Sequence, residues 1–295
     1  MMGGEDRPPP LVRRSHTGPV PLSSGQERLY FLHRLQRGRD AYTIHRRLRL
    51  PHGTDEGALE RALGEVVRRH EALRTTFHEA DGIPVQVVRP FTGFALTVED
   101  LSGFAAAERE AERRAAEDAE RPFDLAEGPL FRATLLRLGA DGHELLLGMH
   151  HIVTDGWSLD VLCRELSVLY AAGAAGDESP LPEPAQQYAD FAVWQREQLR
   201  GEALHRQLAW WKARLAGAPE VLELPADRPR PAARTQRGGR VSAVLPADVL
   251  ARLDGLARQE GATRFMVLLA AFQALLSRYG GGDDVVVGTP VSGRT

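Results

Sequence analysis

The amino-acid sequence predicts an α+β fold divided into two lobes, and three observations lead to that prediction. Two strand-like runs flank Asp81-Gly82, a dipeptide that favours the tight turn of a β-hairpin. Amphipathic helical patterns stand apart from these strands. A stretch rich in Gly and Pro, GAAGDESPLPEPAQQ, follows residue 175 and separates two parts of different character.

The first lobe is predicted over residues 21–175, after a Pro/Gly/Arg-rich arm at residues 1–20 that is expected to be flexible. Helices are expected in SSGQERLYFLHRLQ, with Ser23 or Ser24 as its cap, and in DEGALERALGEVVRRHEAL, GFAAAEREAERRAAEDAERP and GWSLDVLCRELSVLYAA. Strands are expected in AYTIHRRLRL, in the hairpin LRTTFHEADGIPVQVV, in FALTVED, and in LFRATLLRL and HELLLGMH as an antiparallel pair.

Residues 176–239 are predicted to form a linker and lobe-bridging helices, and residues 240–295 the start of a C-terminal lobe. YADFAVWQREQLRGEALHRQLAWWKARLAG and ADVLARLDGLARQEG have helical patterns, and ATRFMVLLAAFQALLSRYGG is predicted to be a buried helix. RVSAVL is predicted to be a strand, and DDVVVGTPVSGRT a strand that runs into a loop. With so few strands, this lobe is expected to be incomplete.

The composition excludes several classes of protein. The chain is 43% hydrophobic and 26% charged, with a formal net charge of −3, which gives no reason to expect a nucleic-acid partner. No apolar stretch approaches a membrane span, and the N-terminal segment lacks the apolar core of a secretory signal, so the cytoplasm is the expected compartment. Cys163 is the only cysteine, which rules out a disulfide or a multi-cysteine zinc site within the chain.

The stretch LLLGMHHIVTDGWSLDVL ends an apolar run in two adjacent histidines, His150 and His151, followed by Asp155 and Gly156. The pair is expected in a strand-to-helix loop, where reactive groups are often held by rigid elements. The simplest interpretation is a structural histidine with Asp155 as a helix cap. A second is a metal site, but adjacent histidines on a strand point to opposite faces, and no further ligand cluster completes a set. A third is a general base, since imidazole titrates near neutrality and Gly156 leaves room for a substrate.

HHIVTDG fits the HHxxxDG motif of the condensation domains of nonribosomal peptide synthetases, which are relatives of chloramphenicol acetyltransferase. Further segments resemble the other condensation motifs in order: LSSGQERLYFL the first, RHEALRTTF the second, YADFAVW the fourth and VVVGTPVSGRT the fifth. PFDLAEGPLFRATLL, between the second and third, is also typical of the family. The resemblance covers nearly the whole chain, and by it the chain is expected to be truncated after the fifth motif.

The resemblance implies a chloramphenicol acetyltransferase-like fold of two lobes, the N-terminal lobe complete and the C-terminal lobe partial, with a tunnel between them. A donor and an acceptor carrier protein are expected to present thioesters on phosphopantetheine arms, and an adenylation domain is expected in the same or a neighbouring module. The amine of the acceptor attacks the donor thioester, which forms a peptide bond. No cofactor is expected to bind directly and no metal is expected.

The same resemblance implies roles for individual residues. His151 is the expected catalytic residue, which accepts the proton of the attacking amine or positions that amine and stabilises the intermediate. His150 is expected to pack or hydrogen-bond at the strand end. Asp155 is expected to form a structural salt bridge, with Arg294 as the first choice of partner and Arg74 as the second.

Other residues of the motif and the subtype can be placed by the same comparison. Trp157 and Ser158 are expected to flank the channel, where Ser158 either contacts the intermediate or caps a helix. DGWSLDVL favours condensation over epimerisation domains, which typically continue as DGVSWRIL. Two alternatives remain: a stand-alone acyltransferase that uses a soluble CoA thioester, and a non-catalytic fragment that docks carrier proteins.

Overall fold

A computed structural model describes residues 9–15, 18–35, 42–229, 239, 241–280 and 282–290. The chain forms two compact units, Met1–Leu204 and His205–Thr295, and each is described by itself. The first unit combines helices with two sheets, which confirms the predicted α+β class.

The strands lie in the first unit and are numbered in chain order: β1 (Val20–Pro21), β2 (Thr43–Leu50), β3 (Thr75–Ala80), β4 (Ile83–Val88), β5 (Thr97–Asp100), β6 (Phe131–Arg137) and β7 (His143–His150). A three-stranded sheet has the order β1-β4-β3, and a four-stranded sheet the order β2-β7-β6-β5. The predicted hairpin is confirmed: β3 pairs with β4 around Asp81 and Gly82, whose φ angles of 51° and 78° match the tight turn expected of this dipeptide.

The predicted antiparallel pairing of β6 with β7 is also confirmed, and β7 pairs on its other side with β2. β5 runs parallel to β6, and the connection between them contains a helix, as parallel neighbours require. The strand β7 is therefore an interior strand of the sheet, and His150 is the last residue at its C-terminal end.

The helices agree closely with the predicted segments and are α1 (Ser24–Leu35), α2 (Glu56–Arg69), α3 (Ala107–Glu120), α4 (Gly156–Ala175), α5 (Tyr188–Gln198), α6 (Gly201–Arg214), α7 (Ala247–Gln259) and α8 (Arg264–Gly280). α1 begins after Ser23, whose Oγ accepts the Gln26 N–H at 3.2 Å, so Ser23 is the cap of the two serines considered. α2 is capped by Asp55, which accepts the Ala58 N–H at 2.9 Å.

The core of the first unit forms on both faces of the four-stranded sheet. Leu145, Leu147 and Met149 of β7 lie on one face, in a cluster with apolar residues of α2 and α4. Leu146 lies on the opposite face, in a cluster with Ala111 of α3. Because alternate residues of β7 pack on opposite faces of the sheet, the strand is held on both faces. This packing fixes the position of the histidine pair at its end.

The arm that was predicted to be flexible is tied down over the part that the structure describes, residues 9–15 and 18–20. Arg14 donates to Asp190 at 2.9 Å and to Glu71 at 2.6 Å, and the Trp194 indole donates to the Pro9 carbonyl at 2.7 Å. Asp190 is buried, so the arm contributes a cation that neutralises an interior carboxylate. Residues 1–8 and 16–17 lie outside the described residues.

The same contacts place α5 in the first compact unit. The predicted lobe ends at residue 175, whereas the boundary between the compact units lies between Leu204 and His205. The hydrogen bond between the Tyr188 and Ser23 hydroxyls at 2.9 Å and the bond from Arg196 to the Leu22 carbonyl at 2.7 Å hold α5 against the start of α1. Long-range polar contacts of this kind leave no local signature in the sequence.

The second unit differs from its predictions in three places. The strands predicted in RVSAVL and DDVVVGTPVSGRT are not formed over the described residues 241–246 and 282–290, and Val241 is 98% exposed. The buried helix was predicted wrongly, because α8 contains no buried residue. A strand needs a hydrogen-bonded neighbour, which the described part of this unit does not supply, and the contact of α8 with α7 is too small to bury a face of α8.

Candidate active site

The histidine pair lies where β7 ends and the chain turns towards α4. His150 is the last residue of the strand and is fully buried, whereas His151 is exposed in the turn that follows. Two adjacent imidazoles therefore have opposite environments, as the alternation of side chains along a strand predicts. Only His151 has a side chain that a substrate can reach from solvent.

Two backbone carbonyls hold His151 in place. Its N–H donates to the Tyr42 carbonyl at 2.7 Å, and its Nδ1 lies 2.8 Å from the Thr154 carbonyl oxygen. Since a carbonyl oxygen only accepts, Nδ1 must carry the proton in this contact. The neutral ring then has its lone pair on Nε2, which is the arrangement that a general base needs.

His150 is held as a structural residue. Its Nδ1 accepts the Ile152 N–H at 3.0 Å, and its own N–H donates to the Leu130 carbonyl at 3.1 Å. The ring meets His33 and Phe123 edge to face, with centroid distances of 5.4 and 6.4 Å. The bond to Ile152 shapes the backbone on either side of His151, so His150 supports its neighbour without facing the substrate.

Asp155 is the cap of α4. Its Oδ1 accepts both the N–H and the hydroxyl of Ser158, at 2.8 and 2.6 Å, and its extended backbone conformation is typical of this position. His151 and Asp155 are close in the sequence, but the Nδ1 of the imidazole bonds to the Thr154 carbonyl and not to the Asp155 carboxylate. Ser158 is not itself the cap and lies in the first turn of the helix.

The two arginines proposed as partners of Asp155 have different outcomes. Arg74 lies 3.8 Å from the Glu71 carboxylate and donates to the Arg89 carbonyl, and the described residues contain no ion pair between Arg74 and Asp155. Burial lowers the pKa of Arg74, with the charges of Arg14 and Arg68 acting in the same direction and that of Glu71 opposing them. Arg294 lies outside the described residues, so its pairing with Asp155 stays a prediction.

Gly156 and Trp157 form an open surface beside the turn. A Cβ atom at Gly156 would meet no atom within 4 Å, and the Trp157 side chain is 73% exposed. An exposed aromatic ring at the start of α4 offers an apolar contact for a ligand. The expectation that Trp157 and Ser158 flank the channel stays a prediction.

A row of polar residues crosses the sheet two residues before His150. His45, Gly148 and Arg132 are direct neighbours on β2, β7 and β6, and the Asp118 carboxylate lies over them, 3.4 Å from His45 Nδ1 and 2.7 Å from Arg132 Nε. Burial raises the pKa of Asp118, but the hydrogen bond with His45 and the charge of Arg132 outweigh it, so the pKa is lowered overall. Sequence reasoning missed this group, because only the fold brings its members together.

Two further features concern metal binding and membrane insertion. Among the residues that the structure describes, no group of three or more His, Cys, Asp or Glu side chains could hold a metal ion. None of the helices in the described part of the chain is both long and apolar enough to cross a membrane.

The contacts that orient His151 were also missed by sequence reasoning. They come from the Tyr42 and Thr154 carbonyls, and a backbone carbonyl has no side-chain signature that a sequence could reveal. The motif therefore indicates which residue is exposed at the turn, whereas the backbone around it determines how the ring is held.

Comparison with known proteins gives consistent matches. A family model described as "Condensation domain" matches residues 16–295. One of the linear gramicidin synthase subunits of Brevibacillus parabrevis is 49% identical over 287 residues, a match that covers 97% of this chain and 4% of that protein. The chain thus spans a small part of the length of this curated relative.

Two solved structures show the same fold. The X-domain from teicoplanin biosynthesis superposes with a TM-score of 0.83 at 33% identity, covering 93% of this chain and 60% of that one. The first condensation domain of the CDA synthetase superposes with a TM-score of 0.77 at 26% identity, covering 95% of this chain and 67% of that one.

Proposed function

Because this chain belongs to the condensation domain family, we propose that it catalyses an acyl transfer that forms a peptide bond in nonribosomal peptide synthesis. The observation that carries the proposal is the state of His151: an exposed imidazole whose Nδ1–H is committed to the Thr154 carbonyl and whose Nε2 is left to accept a proton. The match to a gramicidin synthase over 97% of the chain supports the same reaction class.

In the proposed reaction, the neutral amine of an aminoacyl thioester attacks the carbonyl carbon of a donor thioester. His151 Nε2 accepts a proton from the amine as the C–N bond forms, or holds the amine in line for attack. The C–S bond then breaks. The departing thiolate takes up the proton that the amine lost and leaves as a thiol. The peptide bond and a free thiol are the products, so the atoms and electrons balance between the two substrates.

We propose that both substrates arrive on carrier proteins, each as a thioester on a phosphopantetheine arm. The acceptor amino acid would be activated by an adenylation domain of the same or a neighbouring module. The chain would work in the cytoplasm, and no cofactor would bind to it directly. The exposed Trp157 ring and the open backbone at Gly156 would contact the substrate that approaches His151.

The test is a single-turnover assay with the complete polypeptide that the gene encodes, a loaded donor carrier and a loaded acceptor carrier. Replacing His151 with Ala is expected to reduce dipeptide formation by about 10²- to 10⁴-fold, the usual contribution of proton transfer by a positioned side chain. His143→Ala is the matched control, because His143 lies on the same strand at the opposite end from His150.

Three other outcomes would contradict the proposal. Equal activity of wild type and His151→Ala would remove the imidazole from the reaction. Full activity with soluble CoA thioesters and no carrier would favour a stand-alone acyltransferase. Carrier binding without turnover by the wild type would favour a docking module.

A further inference from the structure

The surroundings of His150 point to a second layer of residues that controls the active imidazole. His150 is fully buried, and its ring is met edge to face by Phe123 at a centroid distance of 6.4 Å. Phe123 is itself 6% exposed, so the two rings touch inside the protein. Any displacement of Phe123 is therefore transmitted to His150 instead of being absorbed by solvent.

Phe123 is in turn held by Arg132. The Arg132 Cζ lies 4.0 Å from the centroid of the Phe123 ring, a cation–π contact at short range. The guanidinium is fixed by three further acceptors, the Asp118 carboxylate at 2.7 Å, the Asp118 carbonyl at 2.6 Å and the Arg121 carbonyl at 2.9 Å. A group with this many bonds has one position, and it imposes that position on the ring beneath it.

Gly148 makes this packing possible. A Cβ atom at Gly148 would lie 3.0 Å from Arg132 Nε and 3.1 Å from the Asp118 carboxylate, which is tighter than most real Cβ contacts and would require the pair to shift. The glycine in the middle of an apolar strand thus provides the space in which the Arg132–Asp118 pair lies against the sheet. Gly148 and His150 share one face of β7, so the pair and the histidine lie on the same side.

The step from His150 to His151 runs through the backbone. His150 Nδ1 accepts the Ile152 N–H at 3.0 Å, and this bond fixes the turn in which His151 Nδ1 meets the Thr154 carbonyl at 2.8 Å. If the ring of His150 moves, the Ile152 bond lengthens and the turn loosens. His151 then loses the acceptor that keeps its proton on Nδ1.

We propose that Arg132 and Phe123 are positioning residues for the acyl-transfer reaction, which act through His150 to hold His151 in the tautomer with its lone pair on Nε2. The inference rests on the proposed function for its kinetic consequence, but its structural consequence can be measured without turnover. Phe123 is buried and the Arg132 side chain is only 14% exposed, and neither residue was given a role by sequence reasoning.

The experiment compares Arg132→Met, Phe123→Leu and the control Arg137→Met with the wild type. Arg137 lies on the same strand, β6, and also pairs with a carboxylate, in its case by two bonds to Glu56, but it lies opposite His143 at the far end of β7. Phe123→Leu leaves the bonds between Arg132 and Asp118 in place, so it reports on the ring contact even if Arg132→Met fails to fold. His150→Ala and His151→Ala spectra assign the imidazole signals.

The first readout is the tautomer of neutral His151, measured by the ¹⁵N shifts of its ring nitrogens. The wild type and Arg137→Met are expected to show Nε2 unprotonated, and the two test variants a mixture of tautomers. The second readout is kinetic: kcat is expected to fall about tenfold in the test variants, with the KM of each carrier substrate within about twofold of wild type, since small misplacements cost rate more than binding.

Wild-type tautomer ratios in both test variants would overturn the inference, and so would equal losses of kcat in Arg137→Met. A mixed tautomer with unchanged acyl transfer would support the positioning and contradict the proposed catalytic role of His151. The two failures are therefore distinguishable.

Discussion

Two apolar segments of this protein have opposite burial. In β7, the residues from Leu145 to Met149 are at most 4% exposed where they are apolar, and His150 after them is fully buried. In α8, which is also rich in apolar residues, no residue is buried, and Phe265, Met266 and Leu275 are at least half exposed. The comparison shows that apolar composition alone does not determine which segment is buried.

The difference lies in the neighbours that the fold supplies. β7 has a hydrogen-bonded strand on each side and packed helices on both faces of its sheet. In the second unit, α8 packs against α7, and the described residues around it include no sheet. The histidine turn follows a strand that is packed on both faces of its sheet, and a functional site placed on such an element is held more precisely than one on an unsupported loop.

The largest expected effect comes from truncating one leucine in each segment. Leu145→Ala removes a fully buried side chain and is expected to lower the free energy of unfolding by about 3 kcal/mol. Leu275→Ala alters a side chain that is 50% exposed, and this change is expected to alter the free energy of unfolding by less than about 0.5 kcal/mol. Guanidinium denaturation followed by circular dichroism measures both. Equal losses would break the comparison, because they would mean that α8 is buried in solution.

The elements of the first unit could be predicted from the sequence because their signals are local. The Asp81-Gly82 turn, the cap at Ser23 and the apolar run of β7 each lie within a few residues of the structure they specify. The parallel pairing of β5 with β6 could not be predicted, since orientation depends on the path of the chain between them. The strands predicted in RVSAVL and DDVVVGTPVSGRT are not formed over the described residues 241–246 and 282–290 for the same kind of reason, because a strand exists only with a partner.

The candidate site also contains features that have a local sequence signal and features that do not. The motif located His151 and Asp155, and the strand-to-helix transition placed them in a loop. The Thr154 carbonyl that orients His151 has no side-chain signature, and the Arg132–Phe123 contact joins residues whose roles depend on a bend of the backbone between them. The sequence therefore located the exposed imidazole of the histidine pair and missed the groups that hold it.

A smaller effect is expected at the helix starts, where the two regions also differ. α4 is capped by the Asp155 carboxylate, whereas α7 begins after Pro246 without a side-chain cap. Asp155→Ala is expected to cost about 1 kcal/mol of stability through the lost cap, whereas Asp155→Asn keeps a side chain that caps a helix as well as aspartate does and removes only the charge. Thermal and chemical denaturation measure both changes.

The same pair of variants separates the cap from the predicted salt bridge. If Asp155→Asn destabilises the protein as much as Asp155→Ala, the charge matters more than the cap, and Arg294→Met should then have the same effect. If Arg294→Met is silent and Asp155→Asn is close to wild type, the cap alone explains Asp155. A silent Asp155→Ala would contradict both roles.

The smallest expected effect concerns two aspartates that pair with arginines, Asp118 in the first unit and Asp254 in the second. Asp118 lies over the sheet with its side chain 14% exposed, and its pKa is lowered by His45 and Arg132 in spite of burial. The hydrogen bond with Arg264 lowers the pKa of Asp254 at the surface, where the arginine side chain is 53% exposed. Salt screens exposed charges more than buried ones, since the Debye length falls to about 3 Å at 1 M.

For Asp118 the sign of the pH dependence follows from the lowered pKa. The unfolded carboxyl group, with a pKa of about 3.9, binds its proton before the folded one does as the pH falls. The stabilisation is therefore complete above about pH 4 and is lost as the pH falls through the folded value. Asp118→Asn should therefore lose less stability on acidification than the wild type, and most of this difference should persist in 1 M salt. Asp254→Asn should differ from the wild type in its acid destabilisation only in low salt. Carboxyl ¹³C titrations with denaturation at each pH test this, and an Asp118 that titrates at or above about 3.9 would show that the row of His45, Asp118 and Arg132 does not hold its charge as the structure indicates.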